Sequence, residues 1–441
     1  MPIVIIHGWS DHASSFQPLQ NAVANTMAVP VTTISLAEWL SMDDLVTYDD
    51  LVTRMDGIWT SYGLPRTPGS VDVIVHSTGG LLIRDWMSRY FPTPGTSPVK
   101  HLVMLAPANF GSPIAQKGAS FIGRIVKGWS SASMFQVGAL LLKGLEVASP
   151  YSWELALRDL FVAAPYFGPG GTLATVLVGN AGYTGIASAA NEPGSDGTVR
   201  VSTANLNAAR ATFDLRDPAN PIFTGPQNIN GQTAFRIMDG FNHGTIHDPT
   251  QTGLIPAIVA GLQIDDAGFS AYCAAQDAAN QVVMAARQAA SDPYYWGYQN
   301  TVFLVKDQFG NHVQDYFLEF YGPAADTFWE DLFHGKVIED VHAYTNDAGY
   351  RSLLIDIKTL LSVQPQNAPL QISLSANPDI SSNEVGYSSF AEGSIGAISL
   401  PQNQLPLLFQ PNRTIFIEVT ISRQQKTDIF QLGVQPPPLA G

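Results

Sequence analysis

The segment VDVIVHSTGGLLIRDWM (71–87) constrains the fold of this chain more than any other. Val71–Val75 is a short apolar run of the kind that forms a buried strand, and a helical pattern runs from about Gly79 to Tyr90. A strand must therefore turn into a helix across His76, Ser77 and Thr78. Such a turn lifts the side chain at its apex clear of the sheet and sets it against a helix N-terminus, with its backbone N–H groups and positive dipole end. That is the context of a nucleophile elbow, with Ser77 as the nucleophile. The match to G-x-S-x-G is partial, because Val75 stands where the pattern has a small residue. The bland alternative is a strand-to-helix turn that happens to carry a serine.

The surroundings favour the elbow. Across 1–265, strands at Pro2–Ile6, Val71–Val75, His101–Leu105 and Thr172–Val178 alternate with helical patterns at 43–60, 79–90 and 252–264. That alternation predicts an α/β unit on a parallel sheet, with a largely helical insertion at about 111–170. Residues 266–295 are rich in Ala and Gln and read as a helical connector. Beyond them the period changes to two: Leu370, Ile372 and Leu374, then Ile415, Ile417, Val419 and Ile421, alternate with other residues. This predicts a β-rich C-terminal domain over 296–441, with an antiparallel sandwich at roughly 296–434. The expected fold is an α/β-hydrolase domain with a helical, lid-like insertion, followed by a sandwich-like domain.

A serine hydroxyl needs a base, and the base needs a third group to fix its tautomer. In this fold class the chain order is Ser, then Asp or Glu, then His. Asp196 in NEPGSDGTVRV lies in a Gly-rich loop between the strand ending near Val178 and a following strand at Val199–Val201. His243 in MDGFNHGTIH lies just before the last helix of the unit. Asp214 or Asp217 are rival acids, and His247 is a rival base. His243 and His247 are spaced like metal ligands, yet no HExxH glutamate accompanies them, so no metal and no cofactor is expected. His7-Gly8-Trp9 follows the first strand, which makes the backbone N–H of Thr78 and that of Trp9, or of a neighbour in the same loop, the candidate oxyanion donors. His7, His12, His76 and His101 read as structural.

Composition narrows the partners. With 22 basic and 37 acidic residues the net charge is −15, which argues against nucleic acid. Cys273 is the single cysteine, so neither an intrachain disulfide nor a Cys-based zinc site is available. MPIVIIHGWS runs straight into a strand without a leader pattern, and no apolar run approaches the ~20 residues of a spanning helix. The expectation is a cytoplasmic or peripheral membrane protein. Charged residues make up only 13%, against a usual ~25%. From Trp86 to Leu145 there is no Asp or Glu, while Arg89, Lys100, Lys117, Arg124, Lys127 and Lys143 are basic. Within that stretch Phe121, Ile125 and Trp129 share a helical face, and Arg124 and Lys127 fall off it. A basic amphipathic helix here can lie in a lipid headgroup layer, each cation contributing about 1 kcal/mol near an anionic surface. Packing against the protein's own core or another subunit is the alternative.

Taken together, HGWS, HSTGG, LAPANFGS (105–112), GSDGTVRVS (194–202) and NHG (242–244) resemble the bacterial PlaB-type phospholipase A/lysophospholipases, α/β-hydrolases whose elbow reads HSTGG. The resemblance covers about 1–265 and implies a triad of Ser77, Asp196 and His243. It also implies a β-rich C-terminal domain, association with phospholipid membranes, and homo-oligomerisation. A soluble carboxylesterase or neutral-lipid lipase, and a non-catalytic interaction protein on a hydrolase scaffold, remain as alternatives.

Overall fold

A computed structural model of the chain describes residues 1–7, 13–35, 45–117, 138–217, 219–290, 297–321, 335–363, 369–381, 383, 385–390 and 398–425. The first half contributes strands β1 (Ile3–His7), β2 (Val31–Ser35), β3 (Val71–His76), β4 (Val99–Leu105), β5 (Leu173–Gly179), β6 (Ala209–Leu215), β7 (Ile222–Asn228) and β8 (Ala234–Met238). The second half contributes β9 (Tyr298–Asp307), β10 (Tyr316–Tyr321), β11 (Ile338–Ala343), β12 (Tyr350–Asp356), β13 (Leu370–Ala376), β14 (Val385–Tyr387), β15 (Ile398–Leu400), β16 (Thr414–Ile421) and β17 (Arg423–Gln425).

Six strands form an all-parallel sheet in the order β2-β1-β3-β4-β5-β8. Its strands are almost continuously apolar because both faces are covered by helices. Val4 and Ile6 of β1 face one core with Trp59 and Trp86, from the helices Tyr48–Ser61 and Gly79–Tyr90. Ile3 and Ile5 face the other, with Phe16 and Leu19 of the helix Ala13–Met27 and Ile258 of the helix Leu254–Gln263. The strand order reverses direction between β1 and β3, and open α/β sheets place their sites at the carboxyl ends of strands beside such a switch.

The second large sheet has the order β11-β12-β9-β16-β6-β7. One face packs through Phe303, Val305, Ile415, Ile417 and Val419 against the three-stranded sheet β10-β13-β15, giving the sandwich its core. The other face belongs to the hydrolase core: Phe416 meets Phe110, Trp153 and Phe161 edge-on, at centroid distances of 5.4, 4.8 and 6.3 Å. The connector is the helix Phe269–Ala289.

Three expectations are corrected in detail. The sandwich is not purely antiparallel, because β16 runs parallel to both β9 and β6 at the centre of its sheet. The hairpin β6–β7, placed by sequence within 1–265, supplies the edge of that second sheet. Ala209, Ala211, Phe213 and Leu215 alternate as the later strands do, and their apolar side joins the sandwich core. Val199–Val201 is not a strand. Val201 opens a short helix, Val201–Ala204, which buries the same apolar residues by turning inward.

The elbow helix is tied down by a buried ion pair. Arg84 donates to both carboxylate oxygens of Asp159 at 2.7 and 3.0 Å, and its third nitrogen reaches Asn109 at 3.1 and 3.3 Å. Both charged side chains are fully buried. Burial pushes the Asp159 carboxyl above its usual range, and Arg84 only partly pulls it back. Asp159→Ala leaves the guanidinium unpaired and is expected to cost about 3–5 kcal/mol in urea unfolding, whereas the double change Arg84→Met with Asp159→Leu should be near neutral. A loss below about 1 kcal/mol for Asp159→Ala would contradict the pair's role.

Candidate active site

Ser77 sits at the carboxyl end of β3 with φ +55°, a left-handed conformation that is rare for a residue with a side chain. The turn is over-determined by its neighbours. Ser77 N–H donates to Leu105 O at 3.0 Å, and Ser77 O accepts from Gly80 N–H at 3.1 Å and Ala108 N–H at 3.3 Å. The glycines after the serine are required by close approach. A Cβ on Gly80 would lie 2.7 Å from Pro107 Cβ, and one on Gly79 would lie 3.0 Å from Ile6 O and 3.4 Å from Val75 Cβ. The β-branched Val75 is accommodated because Gly79 leaves the space beside it empty.

The candidate acid Asp196 and candidate base His243 lie on loops that follow β5 and β8. Ser77 Oγ–H donates to His243 Nε2 at 3.1 Å, and His243 Nδ1–H donates to Asp196 Oδ2 at 2.9 Å. A carboxylate only accepts, so this arrangement assigns the Nδ1–H tautomer and leaves Nε2 as the base. The other oxygen of Asp196 accepts from the backbone N–H of Thr198 (2.9 Å) and Val199 (2.7 Å). The two loops are also joined directly, His243 N–H to Asp196 O at 2.9 Å. Gly179, at the end of β5, has no room for a Cβ, which would fall 2.2 Å from Phe241 O; this lets the histidine loop lie against the strand. Asp196 is fully buried, His243 is buried, and Ser77 is half-buried.

The rival residues lie elsewhere. Asp214 pairs with Arg216, and Asp217 closes a turn with Asn220. His247 stacks on Phe16 at 4.7 Å, and the hydrogen bond to Ser77 Oγ is made by His243. His101 is held between Asp72 and Ile264 O, both at 2.7 Å. Thr78 follows the nucleophile at the start of the helix, where its backbone N–H is suitably placed by sequence. Trp9, His12 and the expected membrane-contact residues Phe121, Arg124, Ile125, Lys127 and Trp129 lie outside the described residues. Among the described residues no three His, Cys, Asp or Glu side chains are grouped to hold a metal ion, and no helix is long and apolar enough to cross a membrane.

His76, which the sequence reads as structural, packs directly against His243. Its ring lies 4.7 Å from that of His243, and Nε2–H donates to His243 O at 3.3 Å. Burial, then the nearby His243 and His247, hold His76 well below the usual histidine value of 6.5. An unfolded chain takes up a proton below that value, and the folded state resists it. The stabilisation is therefore present above about pH 6.5 and is lost as pH falls, by at most about 1.4 kcal/mol per pH unit for this group. Urea midpoints between pH 5 and 8 should fall on acidification, and His76→Asn should flatten that slope; an unchanged slope would remove His76 as its source.

No family model matches the chain, and no curated protein matches it. Among solved structures it is similar to phospholipase PlaB from Legionella pneumophila, at 23% identity and a TM-score of 0.81, over 100% of this chain and 98% of that one. The chain has the PlaB fold. A second PlaB structure, in complex with thio-NAD, agrees at 22% identity with the same TM-score and coverage. The likeness to PlaB extends through the C-terminal sheets, beyond the 1–265 span on which the motif resemblance rests.

Proposed function

We propose that this chain is a serine-dependent acyl-ester hydrolase acting on phospholipids and lysophospholipids at a membrane surface. The observation that carries the hydrolase reading is the unbroken hydrogen-bond chain from Ser77 through His243 to buried Asp196, raised on a strained elbow. His243 Nε2 takes the proton from Ser77 Oγ as the oxygen attacks the ester carbonyl carbon. The resulting oxyanion is met by backbone N–H groups, assigned to Thr78 and Trp9. His243 then returns the proton to the departing alkoxide, leaving an acyl ester on Ser77. Water, deprotonated by the same nitrogen, releases the fatty acid and restores the serine. Asp196 stays ionised throughout and stabilises the imidazolium.

The phospholipid class is supported by the full-length likeness to a protein named a phospholipase. The surface setting is supported by the carboxylate-free, basic stretch 86–145. Phosphatidylglycerol, a lysophospholipid, triacylglycerol and a short-chain p-nitrophenyl ester assayed side by side separate the substrate classes. Phospholipid and lysophospholipid should be turned over most efficiently; preference for triacylglycerol or for the soluble ester would replace the reading with a lipase or a carboxylesterase. Co-sedimentation with anionic vesicles should weaken when Arg124 and Lys127 are reversed in charge.

A further inference from the structure

The second sheet reaches the catalytic acid by an edge strand. Strand β11 alternates, with Asp340 and His342 turned inward and Glu339, Val341 and Ala343 turned out. Asp340 accepts from Arg200 Nη2 at 2.7 Å. Arg200 ends the Gly-rich loop that carries Asp196, and its side chain is 1% exposed. Its Nε and Nη1 are buried without a hydrogen-bond partner among the described residues. Glu192 at 3.6 Å, which also pairs with Lys117, and Glu339 of β11 add negative charge near it. Among the described residues Asp340 is the carboxylate that hydrogen-bonds this buried cation, and such an anchor is costly to lose.

His342, on the same face of β11, is linked to the Asp196 loop through Glu146 and Ser112. Its Nε2 lies 2.6 Å from Glu146, which also accepts from Thr345 N–H and Oγ–H. Burial tends to raise the Glu146 carboxyl, but these hydrogen bonds outweigh it and keep the group ionised. Glu146 bridges to Ser112, whose Oγ–H donates to Thr198 O at 2.5 Å. Thr198 in turn gives its N–H to Asp196. Tyr298 of β9 closes over Gly194, where a Cβ would fall 2.5 Å from its ring.

Resting on the triad assignment above, we propose that Arg200 and Asp340 are positioning residues: strand β11 of the C-terminal sheet holds the loop that presents Asp196 to His243. Neither residue touches the reacting atoms. Their effect is to keep the Asp196 carboxylate at hydrogen-bond distance from His243 Nδ1–H. The C-terminal sheet thereby becomes part of the catalytic apparatus through the pairing of buried Arg200 with Asp340.

The test uses the full chain with Asp340→Asn, Arg200→Ala and Arg200→Lys, and Asp214→Asn as a control pair on the same sheet. Two readouts are taken well below each variant's melting temperature. The first is the rate at which a fluorophosphonate labels Ser77; the second is the downfield proton resonance of His243 Nδ1–H. For Asp340→Asn and Arg200→Ala the labelling rate should fall about 10- to 100-fold. The resonance should weaken or move upfield. Ester hydrolysis should lose kcat at nearly constant KM, Arg200→Lys should recover part of the rate, and Asp214→Asn should match the wild type. Wild-type labelling and an unmoved resonance in folded Asp340→Asn and Arg200→Ala would overturn the proposal. If the wild type itself fails to label, the nucleophile assignment fails, and the resonance alone decides whether the ion pair positions the acid.

Discussion

Ser77→Ala is expected to lower ester hydrolysis by about 10⁴- to 10⁶-fold in kcat while leaving the fold intact. In the proposed mechanism the hydroxyl is the only group of the triad that forms a bond to the substrate. The fold should survive because what braces the turn is backbone: Leu105 O, Gly80 N–H and Ala108 N–H all bond to main-chain atoms of Ser77. Alanine at φ +55° is strained as serine is, so the melting temperature should change little. Stopped-flow or steady-state turnover of a short-chain ester, beside a thermal melt, checks both halves. Substantial residual turnover in a folded variant would show that Ser77 is not the nucleophile.

Asp196→Asn should cost about 10⁴-fold in kcat, nearly as much, although Asp196 never meets the substrate. An amide placed at 2.9 Å from His243 Nδ1 offers an N–H as readily as an oxygen. It thereby favours the tautomer with the proton on Nε2, the nitrogen that must receive the Ser77 proton. The two backbone N–H groups from Thr198 and Val199 press for this outcome, because they require an acceptor at Oδ1 and leave the amide nitrogen to face the histidine. KM should change far less than kcat. Equal losses in kcat from Asp214→Asn would point to a general effect, since Asp214 bonds Arg216 on the second sheet.

The grouping of Ser77, Asp196 and His243 was legible in the sequence because each carries a local signature. Ser77 sits at an abrupt change from strand to helix, and Asp196 and His243 sit in Gly-rich loops in the chain order this chemistry uses. The first sheet was legible for a similar reason: strands buried on both faces read as plain apolar runs. What escaped lacks a local signature. Arg200 finds Asp340 across 140 positions, and Arg84 finds Asp159 across 75, so neither partner can be named from spacing. The hairpin β6–β7 lies between elements of the first unit, and only its period-two pattern, Ala209, Ala211, Phe213, Leu215, betrays the other sheet. His76 reads as structural from its position, but the carbonyl it meets on the histidine loop has no signal in the sequence.

Phospholipid hydrolysis through Ser77 passes through an acyl-serine, which acid quenching can trap. Purified protein mixed with phosphatidylglycerol vesicles, quenched in acid and digested, should yield a peptide carrying Ser77 with the added mass of one fatty-acyl chain. The adduct should vanish in Ser77→Ala together with fatty-acid release. Fatty acid released equally by wild type and Ser77→Ala, with no acylated Ser77 peptide in either, would contradict the account.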